Sequence, residues 1–315
     1  MDDAGAHGLA EWAVVLAGGE GVRLRPLVRL LAGDDRPKQF CRILDGGTLL
    51  ETTWDRARLV APRDRTLTVL TRAHEPYFAP LVRSDRSGPV LIQPDTRGTA
   101  TAILLALLRI ADQNAGGSVA LFPSDHYVSD EPRFAAHVRA ALLGVRIRPD
   151  LVVLLGAAPT EPEVEYGWIE PGDPIAGWAP SPFRQVRRFW EKPAPELART
   201  LLLGGGLWNT FVIVGRVATL LAMIRQAVPD LCRPFESVEP GRGPWEQEPA
   251  LREIYAQLPA VNFSSRVLAA YPAGLAVLPV TGVEWSDWGT PSRVLATLRR
   301  LGRPVATRAR AVLSA

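Results

Sequence analysis

Leu16-Ala17-Gly18-Gly19-Glu20-Gly21-Val22-Arg23-Leu24-Arg25-Pro26-Leu27 is the stretch on which the reading of this chain turns. It follows an apolar run at 13–16 that predicts a buried strand. Gly18, Gly19 and Gly21 admit backbone conformations closed to other residues and let the chain approach a ligand closely. Backbone N–H groups in such a loop can cradle phosphates, and ligands of open α/β sheets sit at the carboxyl ends of the strands. Arg23 adds a charged fork for phosphate oxygens. Two familiar glycine loops do not fit. A dinucleotide fingerprint wants a third glycine opening a helix, whereas Pro26 disfavours helix at Arg25. A P-loop wants Gly-Lys-Ser/Thr, which is missing.

Outward from this loop, strands and helices alternate. Strands are expected at 67–71, 90–92, 118–122 and 151–155, and helices at 48–60, 73–82, 99–111 and 132–145. That rhythm predicts βαβ units in an α/β, doubly wound, mainly parallel sheet of Rossmann-like type. After Pro159 the texture changes. The Pro-, Gly- and acid-rich stretch 161–177 reads as a loop and hairpin, 184–190 and 208–214 as strands, and 195–203 as a helix ended by Gly204-Gly205-Gly206. The stretch 229–249 reads as loop, 250–257 as helix, 275–280 as strand and 292–301 as a terminal helix. We expect one unit over 1–290, with a nucleotide-binding core at about 10–160 and a substrate-binding part at about 161–290, then a helical extension over 291–315.

The chain has 315 residues, 47% of them hydrophobic, and a net charge of +3. Charges of both signs are mixed and no Lys/Arg block marks a nucleic-acid footprint. The slight basic surplus suits an anionic small substrate. No apolar run is long enough to span a bilayer, and the N-terminus lacks the basic region of a signal peptide. Cys41 and Cys232 lack metal-ligand spacing and read as buried thiols in a reducing compartment. A cytoplasmic protein without nucleic-acid or membrane partners is expected, and a homodimer is compatible with the sequence.

Lys38 and Lys192 are the only lysines in an arginine-rich chain. A sequence drifting toward arginine keeps lysine where a compact, flexible ammonium is needed. Lys38 stands in Arg36-Pro37-Lys38-Gln39-Phe40, close behind the glycine loop, as a candidate to bridge phosphates. Asp125 closes the strand at 118–122, and Asp287 sits in the tight turn Trp285-Ser286-Asp287-Trp288-Gly289. Two such carboxylates match magnesium, a hard cation that takes one or two of them plus substrate phosphates. His126 reads as a shaper of its turn. His74 and His137 read as surface or boundary residues of amphipathic helices, and His7 as part of a frayed tail. The tryptophans read first as core packing, with Trp168, Trp285 and Trp288 as candidates to line a sugar face.

The pairing of the glycine loop with Pro37-Lys38-Gln39-Phe40 resembles the sugar-1-phosphate nucleotidylyltransferases, specifically the mannose-1-phosphate guanylyltransferases. The resemblance continues in Gln93-Pro94-Asp95-Thr96-Arg97-Gly98-Thr99-Ala100, Phe122-Pro123-Ser124-Asp125-His126, Tyr166-Gly167-Trp168-Ile169, Phe189-Trp190-Glu191-Lys192-Pro193, Trp208-Asn209-Thr210 and the Asp287 turn. It implies that Leu16, Ala17, Gly18, Gly19, Gly21, Gln93, Arg97, Gly98 and Thr99 bind the nucleotide. It implies a sugar-phosphate site of Gly167, Glu191, Lys192, Asn209 and Thr210. Asp125 and Asp287 would hold Mg2+, and Arg23, Lys38 and Asp125 would act in catalysis. The implied reaction joins a nucleoside triphosphate, GTP by resemblance, to a sugar-1-phosphate, with pyrophosphate released. Family members often carry Glu at the place of Gln93 and Asn at that of Gly98. A Gln amide pairs with one donor and one acceptor, which suits uracil or thymine as well as guanine, so uridylyl or thymidylyl transfer to another hexose-1-phosphate stays open. So does a sugar-nucleotide sensor that binds without turnover, although intact Lys38, Asp125 and Asp287 argue against it. A nicotinamide-dependent oxidoreductase is disfavoured by Pro26. The chain ends soon after the expected terminal helix, and a single activity is expected.

Overall fold

The computed structural model describes residues 10–175, 182–236 and 248–303. His7, the residues beyond 303 in the expected extension, and parts of the stretches read as loop at 161–177 and 229–249 lie outside them. The first strand, β1 (Glu11–Leu16), is two-sided. Trp12 and Val14 enter one apolar core, Ala13 and Val15 the other. Successive strand side chains point to opposite faces, so a run without polar residues requires cover on both.

The elements that follow are α1 (Arg25–Ala32), α2 (Leu49–Arg58), β2 (Thr66–Thr71), α3 (Glu75–Val82), β3 (Val90–Gln93), α4 (Gly98–Asn114), β4 (Ser118–Pro123), β5 (Tyr127–Val128), α5 (Glu131–Ile147) and β6 (Val152–Ala157). The second half adds β7 (Gly167–Pro174), β8 (Arg184–Glu191), α6 (Pro195–Leu203), β9 (Leu207–Arg216), α7 (Val217–Ala227), α8 (Pro229–Glu236), α9 (Glu248–Gln257), β10 (Leu275–Val280), β11 (Trp285–Ser286) and α10 (Pro291–Arg300). A nine-stranded sheet runs β3-β2-β1-β4-β9-β6-β10-β8-β7. Side chains of α4, α7, α8 and α9, among them Ile103, Leu220, Phe235 and Tyr255, cover one face. Those of α2, α3, α5 and α6, among them Trp54, Phe78, Phe134 and Leu201, cover the other.

The expected parallel order holds for β3-β2-β1-β4. Beyond β4 the sheet is mixed, with β9 and β8 running against the other seven of its strands, so the mainly parallel expectation holds for strand direction while the pairings they make are antiparallel. β9 runs antiparallel between β4 and β6, and β8 antiparallel beside β10. An apolar run specifies burial and not direction, so the sequence pattern could not distinguish these cases. The hairpin of β7 and β8 folds back so that Trp168 and Ile169 also pair with Trp208 and Leu207 of β9.

Helix boundaries follow local chemistry with two exceptions. Thr48 and Glu51 form a reciprocal capping box at the start of α2, an arrangement worth about 1 kcal/mol. Trp54 of that helix is wholly buried and donates its indole N–H to Thr68 Oγ1 at 2.8 Å. The first exception is α1, which begins at Arg25 with Pro26 in its first turn, where proline has no intrahelical N–H to lose. The second is α8, which replaces the loop expected after Pro229 by burying Leu231, Cys232 and Phe235. Val294, Leu295 and Leu298 of α10 share a core with Leu24, Leu27, Val28 and Trp288.

Candidate active site

The glycine loop leaves β1 where the parallel order reverses, between β2 on one side and β4 on the other. Its backbone is braced from below. The amide of Gln39, itself buried, donates to Ala17 O at 3.0 Å and Gly19 O at 2.8 Å, and Thr71 Oγ1 donates to Gly18 O at 3.2 Å. Gly18 is crowded: a Cβ there would lie 2.8 Å from Thr71 Oγ1 and 2.9 Å from Gln93 Nε2, so one of those side chains would have to shift. Gly21 turns the chain at φ 59° to start the short turn carrying Arg23.

A two-stranded ribbon assembles the aspartates. β5 and β11 pair antiparallel, with Ser286 opposite Tyr127, so Asp125 before one strand and Asp287 after the other emerge together. Lys38 joins them. Its ammonium is buried 3.0 Å from Asp125 Oδ2 and donates to Asp287 O at 2.5 Å and Trp288 O at 3.1 Å. Asp287 Oδ1 accepts from Gly289 N at 2.7 Å and Arg293 Nη1 at 2.8 Å. Burial alone would push the Asp287 carboxyl up. The His126 ring, the Arg293 and Lys38 charges and the Gly289 N–H outweigh it and hold the group below the ordinary carboxylate range. Burial drives the His126 imidazole down to about 4, against the Asp125 charge, so it is neutral near pH 7. The donor set fits magnesium: two carboxylates on separate turns, leaving the remaining positions to substrate oxygens. Among the described residues no group of three or more His, Cys, Asp or Glu makes an all-protein cage.

On the opposite wall Gly167 opens β7. A Cβ there would stand 3.1 Å from Glu191 Oε2 and 3.4 Å from Asn209 Cβ, so the missing side chain makes room for both polar groups. Burial raises the Glu191 carboxyl, opposed by the Lys192 charge. Lys192, Phe211 and Trp288 are the non-glycine residues with positive φ among the described residues, at 48°, 59° and 46°. Phe211 lines the cleft, and the others adjoin Glu191 and Asp287. Backbone strain of this kind costs about 1–3 kcal/mol per residue and clusters at functional sites.

At the third wall the Gln93 side chain is buried and accepts from Tyr255 OH at 3.0 Å. The turn after it is clamped by a later segment: Ala100 N donates to Val261 O, Val261 N to Arg97 O, and Phe263 N to Thr99 Oγ1. Gly98 has φ 80°, and a Cβ there would strike Val261 O at 2.3 Å. A single π-turn at Ser264–Leu268 follows, and such turns are frequent at functional sites.

These walls enclose a cavity of about 370 Å³, within the range of small-molecule sites. Leu16, Gly18, Gly19, Gln93, Gly98, Thr99, Gly167, Glu191 and Asn209 line it together with Arg23, Asp125 and Asp287. A second cavity of about 330 Å³ shares Arg23, Asp125 and Asp287 and adds Gly21 and Lys38.

Other expected residues stand elsewhere. Ala17 is buried with its N–H and C=O both bonded inside the protein. Thr210 is buried and donates to Leu155 O at 2.7 Å. Arg97 donates to Tyr255 O and pairs with Asp95, tying down the turn instead of lining the cavity. Lys192 is half-exposed at the rim. Trp285 lines the cavity, while Trp168 and Trp288 pack in the core as first expected, their indole N–H groups donating to Glu163 O and Thr297 Oγ1. His137 is half-buried, as expected. His74 is not a surface residue; it is buried against Phe40 and 3.1 Å from Glu20 in the glycine loop. The reading missed Gln39, Thr96, Glu165, Phe211, Tyr255, Asn262, Ser264 and Arg293. Gln39 and Thr96 lay inside quoted motifs. The others come from segments whose local pattern carries no phosphate or sugar signature.

Comparison with known proteins gives the class. The nucleotidyl transferase family model matches residues 12–299, and the chain belongs to that family. The Xanthan biosynthesis protein XanB of Xanthomonas campestris pv. campestris is 30% identical over 289 residues, covering 90% of this chain and 58% of XanB. The mannose-1-phosphate guanylyltransferase ManC of Salmonella typhimurium is 30% identical over 238 residues, covering 74% of this chain and 48% of ManC. The chain thus spans only about half the length of these relatives. A crystal structure from Thermus thermophilus, described as a mannose-1-phosphate geranyltransferase, superposes with a TM-score of 0.77 at 30% identity, covering 91% of this chain and 79% of that one. Among the described residues no helix is long and apolar enough to cross a membrane.

Proposed function

We propose that this chain transfers a guanylyl group from GTP to mannose-1-phosphate, giving GDP-mannose and pyrophosphate. One observation carries the reading. Asp125, Asp287 and Arg23 line both of two adjoining cavities, and the Lys38 ammonium ties the two aspartate turns together. That is the arrangement expected where two polyanions must be brought together. Similarity to relatives named as mannose-1-phosphate guanylyltransferases supports the choice of substrates.

The nucleotide would occupy the side built from Leu16, Gly18, Gly19, Gly21, Gln93, Gly98 and Thr99, at the crevice of a doubly wound, Rossmann-like half spanning about 10–160. The sugar would occupy the Gly167, Glu191 and Asn209 side, in the half spanning about 161–290. Glu191 would accept sugar hydroxyls and Lys192 would meet the sugar phosphate. Gly167 would let backbone approach the ring. A phosphate oxygen of the sugar-1-phosphate attacks the α-phosphorus. The bond from that phosphorus to the β-phosphate bridging oxygen breaks, and its electron pair leaves with pyrophosphate. The nucleophile is already anionic at neutral pH, so no strong base is needed. The barrier lies in charge repulsion and alignment. Lys38 would stabilise charge at the α-phosphoryl group, competing there with its own contact to Asp125. Arg23 would hold the departing pyrophosphate. Asp125 and Asp287 would hold magnesium, which supplies positive charge to the polyphosphate. The two buried thiols suit a cytoplasmic setting.

The test is a matrix of nucleoside triphosphates against sugar-1-phosphates, read by pyrophosphate release. GTP with mannose-1-phosphate should give the highest kcat/KM. Preference for UTP or dTTP would reassign the base through Gln93. No release with any pair would overturn the catalytic reading.

A further inference from the structure

Glu165 stands immediately before Tyr166 and the cavity-lining Gly167, and it lines the cavity itself. A single carboxylate oxygen, Oε2, lies 2.5 Å from Arg23 Nη1 and 3.8 Å from Lys192 Nζ. All three side chains are about half-exposed. The backbone beneath Glu165 is fixed. Its N–H donates to Glu163 Oε1 at 2.9 Å, while Glu163 Oε2 is held by Arg293 at 2.6 Å. Lys192 is fixed as well, at φ 48° with its N–H donating to Tyr166 O at 3.2 Å. The carboxylate therefore rests on a braced turn between the cation that reaches from the glycine loop and the cation that follows β8.

We propose that Glu165 is a displaceable counter-ion: its carboxylate occupies, in the free protein, the place between Arg23 and Lys192 that a phosphate group of substrate or product takes in the complex. The inference rests on the nucleotidyl-transfer reading of the site. A carboxylate and a phosphate oxygen present the same acceptor to a guanidinium, and both satisfy its fork geometry. Exposed ion pairs contribute little to stability, so Arg23 exchanges Glu165 for a polyanion at small cost. A desolvated, tightly caged carboxylate could not be displaced in this way. Glu165 also keeps the two cations from repelling one another while the site is empty. Its cost to the protein is weaker binding of every phosphate-bearing ligand. Glu165 is thus a positioning residue that sets the affinity for anions and does not touch the reacting phosphorus.

Calorimetric titration with inorganic pyrophosphate tests this. Glu165→Gln keeps the shape of the side chain and removes its charge. Its Kd for pyrophosphate should fall by up to about fivefold relative to wild type, the range of one exposed ion pair. In an Arg23→Gln background the same substitution should give little gain, because the cation it competes for is gone. The melting temperature should stay within about a degree of wild type, as expected for a surface pair. Equal or weaker binding by Glu165→Gln overturns the proposal. So does a gain that persists undiminished without Arg23, or no binding heat with either protein. The outcome is separable from that of the activity assay. A protein that binds pyrophosphate but forms no nucleotide sugar removes the proposed reaction and leaves the Glu165 comparison as it stands.

Discussion

Arg293 Nη1 lies 2.8 Å from Asp287 Oδ1, and its other terminal nitrogen, Nη2, lies 2.6 Å from Glu163 Oε2. The guanidinium also covers the Tyr166 ring at 4.2 Å. A residue of α10 thus aims a carboxylate of the site and braces the turn that carries Glu165. Burial would lower the Arg293 guanidinium, but Asp287, Tyr166 and Glu163 raise it instead. Arg293→Ala should leave Asp287 charged and unoriented. We expect a loss of roughly 2–4 kcal/mol in stability, as for other partly buried pairs broken from one side. Outer-shell partners of metal ligands typically matter about 10- to 100-fold, so the magnesium concentration for half-maximal turnover should rise by about that factor. Chemical denaturation and a metal titration of pyrophosphate release measure the two effects.

Lys38→Ala should be more damaging than loss of a surface lysine. The ammonium satisfies Asp125 and two backbone carbonyls in a buried position. Removing a charged donor aimed at developing phosphoryl charge costs about 10²–10³ in turnover. Lys38→Arg should rescue poorly, since a planar fork does not replace a compact ammonium held by three oxygens. Near-wild-type kcat in Lys38→Ala would remove the residue from the proposed chemistry.

Neighbouring glycines of the loop should respond differently to alanine. At Gly18 a Cβ would meet Thr71 Oγ1 and Gln93 Nε2 below 3 Å. Gly18→Ala should cost about 1–3 kcal/mol as overpacking and displace Gln93. At Gly19 nothing lies within 4 Å of a built Cβ, and the residue lines the cavity. Gly19→Ala should change stability by no more than about 0.5 kcal/mol while raising KM for the triphosphate. Thermal unfolding and steady-state kinetics on the pair separate packing from binding.

The two carboxyls of opposite shift predict opposite pH dependence. Glu191 is raised by burial, so the folded state binds its proton more tightly than the unfolded chain. Its contribution to stability falls as pH rises from its unfolded value, near 4.5, through the raised folded value. Glu191→Gln should therefore melt higher than wild type at pH 7, with the gain vanishing below about pH 4, while binding of the sugar phosphate weakens. Asp287 is lowered in the folded state, so its contribution is full above 3.8 and is lost as pH falls through the folded value. Asp287→Asn should lose its stability penalty on acidification, which melting curves at about pH 3 and pH 7 would show.

Both thiols are pushed up by burial, Cys41 to about 12. A maleimide at about pH 7.5 should leave the native protein unmodified and label Cys41 and Cys232 only after unfolding, because the thiolate is the reactive form. Mass spectrometry before and after denaturant distinguishes the outcomes.

The sequence by itself determined the strand-and-glycine-loop start and the βα rhythm through β4, which are local, since periodicity and glycine placement are properties of neighbouring residues. It named Arg23, Lys38, Asp125 and Asp287 one motif at a time, and the pairing of β5 with β11 puts the two aspartate turns beside Lys38. Tertiary structure alone decided the rest. The direction of β9 follows from pairing with β4 and β6, which an apolar run does not encode. The start of α1 at Arg25 depended on Pro26 falling within a first turn, a difference of one or two residues. The withdrawal of Thr210 and Arg97 from the cavity follows from hydrogen bonds to Leu155 and Tyr255, partners 55 and 158 positions away. Arg293, Tyr255 and Glu165 entered the site for the same reason. Each comes from a segment with no motif of its own and reaches the cleft because packing of α10, α9 and the turn before β7 puts a charged or hydroxyl group where the strand ends converge.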